Sequence, residues 1–189
     1  QETDGDIRRI VSEIVRLAGL QDAYVAMDCL RAYPPPGLPR HPKFARSYLA
    51  CLAIPYVSIA NDEMMARGLH LIIPRVRKIP PESFDARVKN FHWGDLTEGQ
   101  FEADDAGADF AVLLDAHGNV TEGAGFNVFC VHDGRVSTPE SSVLEGITRQ
   151  TVIELCGEMG LEISVRAISA DELRGADEIF VCSTAGGIM

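Results

Sequence analysis

The chain has 189 residues, of which 46% are hydrophobic and 24% charged, an ordinary globular balance that excludes a disordered or collagen-like polypeptide. Lys and Arg number 17 against 28 Asp and Glu, a formal charge of −11, and such a surface repels nucleic acid backbones and anionic lipid while leaving room for a small anion in a local positive pocket. No stretch reaches the roughly 20 apolar residues that cross a bilayer. The opening Gln1-Glu2-Thr3-Asp4-Gly5 has neither the basic nor the apolar region of a signal peptide, and with no initiator Met the true N-terminus is expected upstream. Five cysteines (29, 51, 130, 156 and 182) form no C-x-x-C and read as reduced, mostly buried thiols of a cytoplasmic protein. Five scattered histidines include no i, i+4 pair, so no metal site is expected.

Ile7, Ile10, Val11, Ile14 and Leu17 recur at helical spacing and predict a helix over 6–18, ended near Gly19. Ala23 to Leu30 reads as a strand, and the Pro-rich run 34–39 as a loop. Apolar character over 48–60 predicts a strand opened by Pro55. Asn61 to Gly68 reads as a polar connection, which puts the domain boundary near residue 62. Leu69–Ile73 is strand-like, followed by the basic run Arg75-Val76-Arg77-Lys78 and the breaker Pro80-Pro81. Further on the pattern predicts a helix over 96–106, a strand over 110–114, a turn over 115–119 and a strand over 128–131 with Asp133-Gly134 as a hairpin signal. A helix over 148–159 with Val152, Leu155, Cys156 and Met159 on one face precedes a strand over 161–165, a short helix over 170–173 and a strand over 178–182. The mixture predicts an α/β or α+β fold with a mixed sheet. Ending on a glycine-rich turn after a buried strand, the sequence reads as a piece of a longer chain.

Four groups could carry chemistry. Only three lysines exist, Lys43, Lys78 and Lys89. Lys89 lies between Val88 and Asn90-Phe91, with Trp93 four residues on, and an apolar strand context there would disfavour an ammonium ion. A neutral amine is what Schiff-base chemistry with an aldehyde needs, although a surface lysine lying along its neighbours would look the same. Lys43 in its Pro-flanked loop and Lys78 in the basic run are poorer candidates. In Thr121-Glu122-Gly123-Ala124-Gly125-Phe126-Asn127 the glycines let backbone approach a flat ligand, and Glu122 could hold a ring nitrogen protonated, or merely face water in a turn. Leu144-Glu145-Gly146-Ile147-Thr148-Arg149 opens a helix, whose free N–H groups suit a phosphate; Thr148 could equally be a plain N-cap. Ser183-Thr184-Ala185-Gly186-Gly187 offers a second small-residue nest for an anion. An amine, a carboxylate in a glycine turn and two anion cradles are together the parts a pyridoxal phosphate enzyme supplies.

The run Lys89 to Leu96, the segment 121–129, residues 144–149 and the terminal STAGGIM resemble the fold-type IV pyridoxal phosphate aminotransferases. That family includes branched-chain and D-amino acid aminotransferases. Trp93 and the STAGGIM ending are most similar to its (R)-selective amine transaminases. The resemblance implies an α/β fold with the end of a small domain over 1–62 and most of a large, pseudo-barrel cofactor domain over 63–189, incomplete at its C-terminus. It implies that Lys89 forms the internal aldimine with pyridoxal 5'-phosphate and shuttles a proton between substrate and cofactor. Glu122 would pair with the pyridine nitrogen, Ile147, Thr148 and Thr184 would hold the phosphate, and Trp93, Gly125, Phe126 and Asn127 would line the cofactor. Tyr24, Arg31, Arg40 and Ala185, together with Trp93 and Thr184, would face the substrate. Arg31 and Arg40 are alternative carboxylate-binding residues. The family's phosphate-gripping arginine of the small domain is expected upstream of Gln1.

The activity this implies is ping-pong transfer of an amino group from an amine or amino acid to a 2-oxo acid, in a homodimer with no nucleic acid or membrane partner. Two rivals stand beside it. One is aminodeoxychorismate lyase chemistry on the same scaffold. The other is a truncated chain that serves only as an assembly partner.

Overall fold

The computed structural model describes residues 3–189 and divides into two compact units, the first ending at Ser58 and the second running Ile59–Met189.

In the first unit, helix α1 (Asp4–Ala18) starts at Thr3, whose hydroxyl accepts the Asp6 N–H at 3.3 Å while the Asp6 carboxylate accepts the Thr3 N–H at 3.1 Å. These reciprocal bonds satisfy two N–H groups that an uncapped helix start leaves free. Gly19, at φ 68°, closes the helix in the left-handed conformation. Strands β1 (Ala23–Arg31) and β2 (Ser47–Pro55) pair antiparallel along their full length, from Ala23 opposite Pro55 to Arg31 opposite Ser47, and α1 packs mainly on β2. The Pro-rich segment lies in the irregular connection between them. Pro55 closes β2 rather than opening a strand. It sits at the ribbon's end, where its missing N–H costs no ladder bond.

The second unit begins with a difference from the sequence pattern. Asn61–Gly68 is not a bare connection, because α2 (Asp62–Arg67) forms there, with the Asn61 side chain accepting the Met64 N–H at 2.9 Å. Polar residues satisfy a short exposed helix as readily as a loop, so composition could not separate the two. Strand β3 (Leu71–Ile72) runs parallel to β4 (Phe110–Leu114), joined through α3 (Gly94–Asp105). The strands β5 (Val120–Gly123), β6 (Phe126–His132), β7 (Arg135–Thr138), β8 (Ile163–Val165), β9 (Glu178–Ser183) and β10 (Gly187–Ile188) complete an eight-stranded sheet in the order β10-β9-β6-β5-β4-β3, with β7 paired to β6 and β8. Helices α4 (Ile147–Glu158) and α5 (Ala170–Arg174) lie between β7 and β9 in sequence. Strand β6 sits centrally. Its Phe126, Val128 and Cys130 point into a core with Val112, Leu114, Val120 and Val181, while Phe129 points to the opposite face with Val152 and Cys156 of α4. Phe129 and its register partner Phe180 stack with centroids 4.7 Å apart. Val152 and Cys156 are buried as the helical spacing predicts, but Leu155 and Met159 of the same stripe remain exposed. The Asp133–Gly134 turn has φ 49° and 74°, the two positive values of a tight hairpin.

Arg67 fastens the start of this unit to the sheet. Its guanidinium forks onto Asp109 at 2.7 and 2.8 Å, and the same carboxylate accepts the His70 N–H at 2.7 Å. The bonds from Arg67, then from His70, hold the Asp109 carboxyl down at about 2. A depressed acid contributes stability above its unfolded-state pKa and loses it as pH falls through the folded value. Thermal midpoints measured from neutral pH down to about pH 2 should therefore fall less steeply for Asp109→Asn than for the parent protein.

Candidate active site

Glu122 owes its direction to an irregularity in the sheet. Leu114 pairs with Val120 and Val112 with Gly123, so both Thr121 and Glu122 stand opposite the single residue Leu113. Such a bulge re-aims side chains. Val120 faces the Phe126 core, Thr121 donates its hydroxyl to the Leu113 carbonyl at 2.8 Å, and Glu122 shares a face with its partner Asn127 on β6. The two-residue Ala124–Gly125 connection holds this register, with Gly125 at φ 87°, where a side chain would be strained. The motif read as a glycine turn is thus largely strand, since its turn is only two residues long.

The Glu122 carboxylate is enclosed, its side chain 10% exposed. One oxygen accepts the Leu144 N–H at 2.8 Å, and the other lies 3.3 Å from the ammonium of Lys78. Lys78 is itself only 9% exposed and reaches Asp95 at 3.5 Å. Asp95, 4% exposed in the first turn of α3, accepts the N–H groups of Ile79 at 2.7 Å and Leu96 at 2.8 Å. Burial pushes the Glu122 carboxyl above the usual range, opposed by the Leu144 N–H and by Lys78. Glu122 shares the Lys78 ammonium with Asp95 and so does not have that cation to itself. A cationic ring nitrogen could pair with its carboxylate.

From Glu122 a short path of backbone leads to the start of α4. The Leu144 carbonyl accepts from the Asn127 amide at 2.9 Å and from Gly146 N–H at 2.8 Å, and Gly146 is the N-cap of α4. No side chain caps this helix, so its first N–H groups and the positive end of its dipole are open to an anion. Thr148 is inside the helix rather than its cap, and its hydroxyl lies 3.5 Å from that of Thr184, just after β9. Ile147, 84% exposed at the same turn, can offer only backbone. Ala185 follows, its N–H donated to the Ser183 hydroxyl at 3.1 Å, and Ser183 donates to the Gly125 carbonyl at 2.8 Å, tying the terminal nest to the β5–β6 turn. A Cβ on Gly146 would lie 2.5 Å from the Asn127 Oδ1. Gly146→Ala should therefore displace Asn127 or the helix start. The expected result is at least a tenfold loss of pyridoxal phosphate affinity, about 1.4 kcal/mol, with the fold retained by circular dichroism.

Other expected residues fall elsewhere. The segment around Lys89 is irregular from Ile79 to Trp93 rather than a strand, and Lys89 is exposed together with its neighbours Val88 and Phe91. The apolar enclosure expected of it is not what this structure shows. Pro80-Pro81 and the Asp85–Arg87 ion pair hold the stretch out as turns, and no ladder takes it up. Among the described residues Lys89 has no ion pair, while Lys78, which looked the poorer lysine, is the buried one. The basic run gave no hint of this, because its two carboxylates come from positions 95 and 122. Trp93 is 41% exposed and precedes α3 as its N-cap. The Phe126 ring is in the core, edge-on to Phe110 at 5.6 Å, so only its backbone can face a ligand. Tyr24, Arg31 and Arg40 belong to the first unit. Tyr24 lies on β1, Arg31 donates to the Pro42 carbonyl at 3.0 Å, and the Arg40 guanidinium is 5.1 Å from the Tyr33 ring centre. All five cysteines are free, and Cys130, Cys156 and Cys182 are buried. Cys130, His132 and Glu172 bring ligand atoms within 4.8 Å of one another, but the Arg166 guanidinium is bonded to Glu172 and opposes a cation there. No helix among the described residues is long and apolar enough to cross a membrane.

A mixed α/β unit thus places an enclosed carboxylate near an uncapped helix start, groups whose chemistry suits a protonated ring nitrogen and a phosphate. Comparison with known proteins agrees. The Amino-transferase class IV family matches residues 2–189, and the chain belongs to it. A putative branched-chain-amino-acid aminotransferase of Methanocaldococcus jannaschii is 34% identical over 183 residues, 95% of this chain and 62% of that protein. The branched-chain amino acid aminotransferase of Thermobaculum terrenum, solved in its PLP-bound holo form, superposes with a TM-score of 0.87 at 27% identity, over 99% of this chain and 61% of that one. The enzyme from Thermoproteus uzoniensis, solved with norvaline, gives 0.88 at 29% identity over 100% and 63%. The fold is that of the fold-type IV aminotransferases, and the chain spans less than two thirds of the length of these relatives.

Proposed function

We propose that this chain is the greater part of a pyridoxal phosphate-dependent aminotransferase that moves an amino group from an amino acid to a 2-oxo acid. The observation that carries the reading is the buried Glu122 carboxylate, linked through Leu144 and Asn127 to the open start of α4. Pyridoxal phosphate, when bound, supplies an aldehyde that captures amines and a ring that takes up the electrons left as a proton departs. Its donor and acceptor groups fit those present. The N–H groups of Ile147 and Thr148 and the hydroxyls of Thr148 and Thr184 would hold its phosphate, and Glu122 would hold a proton on its ring nitrogen. Gly125, the Phe126 backbone, Asn127 and Trp93 would bound the ring. Lys89 is the amine assigned to covalent capture and to moving the proton at the substrate carbon. That assignment rests on the Lys89–Leu96 motif. From the resemblance alone, Ala185 is a substrate-side residue of the second unit, and Tyr24 and the alternative carboxylate-binding residues Arg31 and Arg40 are ones of the first.

The relatives named above favour a branched-chain amino acid and its 2-oxo acid as substrates. A second reading, transfer from an (R)-amine, is favoured by Trp93 and the STAGGIM ending. The proposal includes a homodimer in a reducing compartment. The test is titration of the full-length protein with pyridoxal phosphate, followed by leucine or an (R)-amine in the presence of 2-oxoglutarate or pyruvate. A visible absorbance band and product from one donor support the reading. A folded protein that binds no cofactor refutes it, and pyruvate released from aminodeoxychorismate without amino transfer would move it to the lyases.

A further inference from the structure

We propose that Lys78 is a positioning residue, an internal cation that bridges Asp95 to Glu122 and fixes the Glu122 carboxylate, charged and aimed, for the ring it receives. The inference rests on the function just proposed, and it concerns a residue that the motifs leave aside.

The geometry carries it. The Lys78 ammonium lies 3.3 Å from Glu122 and 3.5 Å from Asp95, with all three side chains at least nine-tenths buried. An ammonium taken out of water is costly unless paired, so a lysine held here is doing something that a surface lysine does not. Its stem is anchored, because the Lys78 N–H donates to the Leu114 carbonyl at 2.9 Å and the neighbouring Arg77 bridges to Leu114 in parallel. Asp95 is anchored as well, by the N–H groups of Ile79 and Leu96. Lys78 therefore cannot follow Glu122 freely, and Glu122 is placed against a fixed charge. Each element packed on Glu122 contributes. The segment before α3 brings Lys78, α3 brings Asp95, the 144–146 turn brings an N–H, β6 brings neutral Asn127, and α4 brings buried Arg149, whose charge Glu122 favours. Asp95 alone would repel Glu122. With Lys78 between them the repulsion is cancelled, and Glu122 keeps its charge for the ring nitrogen.

The experiment uses the full-length protein with K78M, K78R, E122Q and K78M/E122Q. In the cofactor-free protein, thermal midpoints are measured between about pH 5 and 8. With K78M two carboxylates face each other unscreened, so its midpoint should drop relative to the parent protein as pH rises. K78R should restore the parent profile, and K78M/E122Q should remove the excess dependence. In the loaded enzyme, K78M should lower kcat about tenfold at the acid end of the profile and recover towards alkaline pH. If K78M does not fold, recovery of folded protein in K78M/E122Q supports the proposal, and no recovery overturns it. Parent-like midpoints and an unmoved acid limb in K78M also overturn it. So does reductive trapping of the cofactor on Lys78. If E122Q retains full turnover, the assigned role of Glu122 fails, while the cofactor-free midpoints still read the ion pair independently.

Discussion

Lys89→Ala is expected to abolish the absorbance band of covalently held pyridoxal phosphate in the full-length enzyme and to lower kcat by at least about 10⁴-fold, the scale seen when an essential nucleophile is removed. The parent enzyme reduced with borohydride and digested should carry the pyridoxyl group on the peptide containing Lys89. Only three lysines exist, and in this structure the buried one is Lys78, so mapping the label separates them cleanly. A yellow Lys89→Ala enzyme, or label on Lys78, would end the assignment. The exposed position of Lys89 makes a second measurement informative. Addition of the cofactor should protect Lys89, and not the exposed Lys43, from amine-modifying reagents.

Glu122→Gln should leave the cofactor bound while kcat falls by about 10²–10³-fold, as for loss of one preorganised electrostatic group at a reacting centre. The glutamine can still accept the Leu144 N–H, so the turn before α4 keeps its anchor. What is lost is the negative charge that would hold a proton on the ring nitrogen, and with it the partner that Lys78 meets at 3.3 Å. Because burial raises the Glu122 carboxyl, protonating it removes that charge at a higher pH than for a surface glutamate. The parent kcat should accordingly fall on the acid side, and this limb should be absent from the low residual rate of Glu122→Gln. Unchanged turnover would remove Glu122 from the mechanism.

The parts of this molecule that follow local rules were legible in its sequence. Helix α1, β4 and the Asp133–Gly134 hairpin are set by spacing, capping and turn chemistry, and they lie where those signals put them. The start of α4 was readable for the same reason, as a glycine before a helical stripe with a hydroxyl beside it. What escaped was decided by distant partners. Strand β5 hides behind two glycines because its turn needs only Ala124 and Gly125, and the Asp115-to-Asn119 turn just before it was the available sign that a new strand begins. Helix α2 and the end of β2 at Pro55 lacked a distinguishing composition. The lysines show the limit most plainly. Val88 and Phe91 suggested enclosure yet lie exposed, whereas Lys78 stands in a charged run and is buried by Asp95 and Glu122. Sequence neighbours report the local backbone, while burial of a charge depends on residues far along the chain.

The extra residue opposite Leu113 gives the span from Val120 to Phe126 a meaning that its letters do not have. Shorten that span by one on the far side of Glu122 and the hairpin could still close, but with regular pairing the acid would turn to the face of Val120, towards Val112 and Phe126, among hydrocarbon. In a family survey, a homologue with a gap between this glutamate and the β5–β6 turn would keep the architecture and forfeit its acidic partner, even with a glutamate aligned. Chain length between two hydrophobic landmarks is thus a sharper diagnostic of competence than residue identity alone.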